Sequence, residues 1–157
     1  MNKIIAALLL CTALVAPASA IAREVTIDAK LVNYSGNAAY LAVYLTKPDG
    51  SYDSTLWVSG TKQRYLGELS GWVSAMRGAG VSTLNLDGIT GASVGGGQTL
   101  TVKADLADAL IDAGYTIHVD TAVEHGGLYS DDAVAPLSST TEPVDGTGYV
   151  SKLSVGM

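Results

Sequence analysis

Ser93 lies in the stretch DGITGASVGGG, Asp87 to Gly97, among residues too small to shield its hydroxyl. A serine so displayed can serve as a nucleophile, as part of a phosphate-binding loop, or as the acceptor of a group that another enzyme attaches. Nucleophilic catalysis needs a base within hydrogen-bond reach, and His118 and His125 are the two histidines of the chain. With so few bases, the hydrolase class is set aside. The glycines at 88, 91, 95, 96 and 97 invite the phosphate-loop reading. Their spacing is not Gly-x-x-x-x-Gly-Lys-Ser, and no lysine follows directly to reach a phosphate. The acceptor role remains. Gly91 and Ala92 would let the hydroxyl enter a foreign active site, and glycine permits the backbone excursion this needs.

Metal ligation is the other chemistry on offer. On an extended strand His118, Asp120 and Glu124 share one face, while His125 falls on the other. Imidazole with carboxylates suits a first-row metal, but two histidines at this spacing match no standard ligand pattern. His118 and Asp120 are read instead as a solvated face. Trp57, Trp72 and eight tyrosines could stack on a planar ligand, yet the chain has no phenylalanine and tyrosine must fill the core. Tyr40 and Tyr44 are the pair held open for a ligand.

The elements that must position these residues are mostly strands. Val25, Ile27, Ala29 and Leu31 alternate with polar neighbours, the period-two pattern of a half-buried strand. AAYLAVYLT from Ala38 is apolar on both faces, as in a central strand or one whose aromatic outer face another element covers. KPDG from Lys47 is a turn, and YDSTLWVS from Tyr52 is the third strand. Tyr65, Leu69, Trp72 and Met76 then form one helical stripe, predicting a single amphipathic helix over Gln63 to Arg77. Beyond it VSTLNL, QTLTVKADL, YTIHVDTAVE and GYVSKLSVG read as strands, with Tyr115, Ile117, Val119 and Val123 inward. LADALIDAG suits a short helix or a wide turn, and Asp131 to Gly148, rich in Ser, Thr, Pro and Gly, reads as loop. The expected fold is mainly β: one immunoglobulin-like antiparallel β-sandwich with an inserted amphipathic helix.

Charge and the leader bound the setting. Met1-Asn2-Lys3, the apolar run Ile4 to Val15 and Ala18-Ser19-Ala20 make the three-part pattern of a secretory signal peptide, cleaved after Ala20. The run is too short for a permanent membrane span. Cys11, the one cysteine, follows Leu10 rather than a small residue and leaves with the leader, so disulfides and thiolate sites are excluded from the mature chain. Residues 21–157 make one domain carrying eight basic against fifteen acidic residues, a net charge of −7. That sign argues against nucleic acid and anionic membrane as partners. The expected compartment is the periplasm.

Asp87, Thr90, Gly91, Ala92 and Ser93 resemble the motif Asp-x-x-Ser/Thr-Gly-Ala-Ser/Thr, at which a flavin transferase uses FAD to attach FMN through a phosphoester. The resemblance implies Ser93 as acceptor, where threonine is more usual, and the other four residues as the recognition sequence. AYLAVYLTKPDGSYDSTLWV, RYLGELSGWV, DGITGAS and YTIHVDTAVEHGG, in this order, resemble the predicted periplasmic family catalogued as domain of unknown function 2271. LADALIDAG departs from the Gly- and Pro-rich loop expected there. That resemblance implies association with flavin transferases and with PepSY-type membrane reductases. The expectation is therefore an electron carrier rather than a turnover enzyme, with covalent FMN on Ser93 and His125 beside the flavin. The rival expectation is a cofactor-free immunoglobulin-like binding or assembly module. A third is a metal-binding protein using His118, Glu124 and His125.

Overall fold

The computed structural model describes residues 21–60, 62–81 and 86–157. The leader, and most of the expected VSTLNL strand, lie outside the described residues. Among the described residues the strands are β1 (Ala22–Leu31), β2 (Ala39–Thr46), β3 (Tyr52–Ser59), β4 (Thr90–Gly91), β5 (Thr99–Ala107), β6 (Thr116–Val123), β7 (Leu128–Pro136) and β8 (Val150–Gly156). Two short α-helices, α1 (Gln63–Leu66) and α2 (Ser70–Gly78), lie between β3 and β4. One sheet has the order β5-β1-β8 and the other β4-β3-β2-β6-β7. Every pairing is antiparallel except that of β3 with β4.

The two sheets share one apolar core. Val25, Ile27, Ala29 and Leu31 from β1 join Leu41, Val43 and Leu45 from β2, with Ile117 and Val119 from β6, in a single buried cluster. Period two puts these side chains on one face of each strand and sends the intervening ones to the other. On β2 the intervening residues are Tyr40, Ala42 and Tyr44, which are buried as well. They belong to a second cluster, where Leu69 and Trp72 from the helical segment cover the outer face of the larger sheet. The helices therefore form a third layer, and β2 is a central strand buried on both sides.

Three expectations change in detail. The helical stripe packs as expected, but the helix is broken: Gly67 ends α1, and Leu69, with ψ at 68°, precedes α2 outside helical geometry. Glycine is a weak helix former, and the break turns the chain between Tyr65, which packs on Tyr40 at 5.5 Å between ring centroids, and Trp72, which bonds Thr55. LADALIDAG becomes the end of β5 followed by one 3₁₀ turn, Asp108–Leu110. The segment from Asp131, read as loop, instead holds most of β7. Its alanines carry weak strand propensity, but Ala133 and Ala135 are buried in register against Val119 and Ile117.

Candidate functional site

The motif residues sit at an edge of the larger sheet. β4 runs beside β3, accepting the Val58 N–H at Ile89 O (2.9 Å) and the Gly60 N–H at Gly91 O (2.8 Å). At Gly91 a Cβ would fall 2.7 Å from Cζ2 of Trp57, so only glycine lets the strand lie this close to the indole. Val94 then crosses to β2, exchanging hydrogen bonds with Ala39 at 2.7 and 2.9 Å. Between these anchors Thr90 and Ala92 are exposed and Ser93 is half-buried.

A cavity of about 520 Å³ opens beside this segment, lined by Gly60, Leu66, Leu86, Asp87, Thr90, Gly91 and Ala92. Four of the five motif residues thus line one hollow, and Ser93 is the next residue along the chain. Its volume lies within the range of small-molecule sites, about 300–1,000 Å³. Leu66 brings α1 into the wall; Lys62, at the N-cap position, and Arg64, within the helix, are both exposed.

In its letters Gly91-Ala92-Ser93-Val94-Gly95 satisfies Gly-x-Ser-x-Gly, so setting Ser93 outside the hydrolase class rests on geometry. A nucleophile elbow joins a strand to a helix. Here the chain passes from β4 to an isolated bridge at Val94 and then to β5. Neither histidine is placed as a base for Ser93. His118 is bonded to Thr46, Thr116 and Asp131. His125 stands in the β6–β7 turn at φ 61°, with its side chain 86% exposed and Nε2 3.8 Å from Glu124.

His125 nonetheless shares an end of the sheet with Ser93. Val94 bridges Ala39, Ala39 pairs with Val123, and His125 lies two residues beyond. Two strand spacings separate the segments, roughly 10 Å of sheet. Glu124 at this end accepts a short hydrogen bond from the Tyr65 hydroxyl and lies 3.4 Å from Lys62 Nζ. Arg64 lies 4.6 Å over the Tyr65 ring and 4.0 Å from the same carboxylate. The Tyr65 hydrogen bond, helped by Lys62, holds the Glu124 carboxyl below its ordinary range. The cluster fastens α1, and with it Leu66, to the end of β6.

The face carrying His118 and Asp120 is not solvated, contrary to expectation. Asp120 has no exposed surface, because α2 covers it. Its carboxylate accepts the N–H groups of Trp72 at 2.7 Å and Asp131 at 2.9 Å, and Tyr44 Oη lies 3.4 Å away. Burial pushes its carboxyl above the ordinary range, and pushes the Tyr44 phenol upward too. His118 stacks on Tyr44, with ring centroids 5.1 Å apart, and its Nδ1 lies 2.7 Å from Asp131. Tyr44 is thus engaged in the structure rather than open to a ligand, and Tyr40 is buried under α1.

His118 and Glu124 do not converge on a metal: six residues of extended chain separate them, roughly 20 Å. Among the described residues no three of His, Cys, Asp and Glu are grouped to hold one. A further buried carboxylate, Asp132, was not singled out by the sequence. It accepts from Thr121 Oγ1 and from the backbone N–H groups of Thr147, Gly148, Tyr149 and Val150. An acid within an otherwise small and apolar stretch, Asp132-Ala-Val-Ala, was the available signal.

Among the described residues no helix is long and apolar enough to cross a membrane. A family model described as a predicted periplasmic protein, DUF2271, matches residues 22–152. No curated protein and no solved structure matches the chain.

Proposed function

Since the chain belongs to the DUF2271 family of predicted periplasmic proteins, we propose that it is an exported electron carrier with FMN joined covalently to Ser93. One observation carries the reading: Asp87, Thr90, Gly91 and Ala92 line a cavity of about 520 Å³, and Ser93 adjoins it. A group tethered at Ser93 would have a site beside its attachment point. β4 is also a two-residue edge strand, so few hydrogen bonds resist its release into a transferase.

In the proposed attachment, Ser93 Oγ attacks the FMN-side phosphorus of FAD. The pyrophosphate bond breaks, AMP leaves, and the serine proton is lost to base. Bound FMN supplies reversible electron uptake, while the protein positions the ring and tunes its potential. Electrons would come from a PepSY-type membrane reductase and pass to an extracytoplasmic acceptor. His125 is placed at the same end of the sheet as Ser93. In this reading a signal peptide cleaved after Ala20 exports the protein. The antiparallel pairs flanking one core support an immunoglobulin-like sandwich, from which the parallel β3–β4 pair departs.

The test is the intact mass of the mature protein after periplasmic co-expression with a flavin transferase, with Ser93→Ala beside it. The expected result is a gain of FMN less one water, absent from the variant. An unmodified chain, under conditions that modify a control flavoprotein, overturns the reading. The alternative is then a cofactor-free binding module. Leu128, Tyr129 and Val134 favour it, being exposed large apolar residues on the edge strand β7.

A further inference from the structure

We infer that the cavity beside β4 is a seat for the flat ring of the flavin, walled by Leu66 and Leu86, so that the ring is bound by the protein rather than swinging on a tether. This rests on the flavin reading of Ser93 for the identity of the ring, but the site is defined by its own residues.

The lining has the chemistry of a planar heteroaromatic site. Gly60, Gly91 and Ala92 offer backbone and at most a methyl group, leaving a surface without protruding side chains. Gly60 and Gly91 are also backed by aromatic rings. A Cβ at Gly60 would run into the Tyr40 ring, and one at Gly91 would meet Trp57. The floor is therefore firm. Leu66 and Leu86 add apolar wall, and Asp87 and Thr90 add polar groups of the kind that fix orientation in such sites. The wall is held in place: Tyr65, next to Leu66, is bonded to Glu124 and packed on Tyr40. A tether at Ser93 raises the ring's local concentration at this site.

The experiment separates the seat from the tether. Unmodified mature protein, expressed without a flavin transferase, is titrated against riboflavin, which has the ring and lacks the phosphate, with flavin fluorescence as readout. Saturable quenching is expected. Leu66→Ala and Leu86→Ala should each weaken it by about tenfold, as loss of a substantial apolar contact does. Circular dichroism of both variants checks that the fold persists, and either variant alone suffices if the other unfolds. No saturable binding up to the solubility limit of riboflavin overturns the inference, as does binding that neither leucine affects. If riboflavin binds yet no FMN mass appears on Ser93 with a transferase present, the seat stands and the covalent-carrier reading falls. If FMN is attached but riboflavin finds no seat, the reverse holds.

Discussion

Asp120 on β6 caps α2 from outside the helix: its Oδ2 accepts the Trp72 N–H at 2.7 Å, across 48 residues of sequence. Leu69, at the N-cap position, supplies no side-chain acceptor. Trp72 lies in the first turn, whose N–H groups have no intrahelical partner. The bond that a local Ser, Asp or Asn would normally provide comes instead from the sheet. One contact thus satisfies the helix terminus and fixes the third layer to the second.

Asp120→Ala should therefore undock α2. It leaves the Trp72 and Asp131 N–H groups without their acceptor, at a cost of about 2 kcal/mol or more. Urea denaturation would show a lowered midpoint, and Trp72 fluorescence would move to the red as the indole is exposed. An unchanged midpoint would mean that the cap contributes nothing.

The same residue predicts a pH effect of definite sign. Burial raises the Asp120 pKa, so between its unfolded and folded values the native state holds more protons. Stability from this group falls as pH rises through that window and is level above it. The stability of the wild type relative to Asp120→Asn should accordingly decline from the ordinary aspartate range, about 3.9, upward. A difference that instead grows with pH would contradict the assignment.

Glu124 works in the opposite direction. Its carboxyl is held low, first by Tyr65, so the stabilisation is present above the ordinary glutamate value and is lost as pH falls through the folded value. Wild type and Glu124→Gln should differ by a constant amount at neutral pH and converge on acidification. Denaturation at a series of pH values measures this, and parallel curves throughout would show that the charge is irrelevant to α1.

Asp132→Asn should cost about 3 kcal/mol or more. Both carboxylate oxygens accept hydrogen bonds, so the amide nitrogen must face backbone donors and leave them unpaired. The loss should be concentrated where these bonds pin the entry to β8. Hydrogen exchange at Tyr149 and Val150 would rise well before that of β2. Uniform acceleration across the domain would point to global destabilisation alone.

Gly60→Ala tests the floor of the cavity. Gly60 has φ +123°, which L-residues rarely adopt, and the added Cβ would meet the Tyr40 ring. A loss of about 2 kcal/mol or more is expected in chemical denaturation. A neutral substitution would show that the Tyr40 ring on β2 can move aside.

Local patterning determined much of this protein. Alternation in Val25 to Leu31 and in Ala38 to Thr46 gave strands with the right faces inward, because side-chain direction follows from backbone period alone. The aromatic outer face of β2 and the Tyr65–Leu69–Trp72–Met76 stripe were both legible, and they pack in one cluster. Five small and polar residues marked Asp87 to Ser93 as a segment of interest before any fold was known. What the sequence could not decide was pairing. The parallel contact of β3 with β4 and the recruitment of β7 to the sheet edge depend on partners many residues away. Local propensity does not record such partners. The burial of Asp120 and Asp132 is the clearest case. In the sequence each is an aspartate next to a threonine or an alanine, as readily solvated as not. Only the closing of α2 over one, and of the Thr147–Val150 segment over the other, removed water and supplied the donors that replaced it.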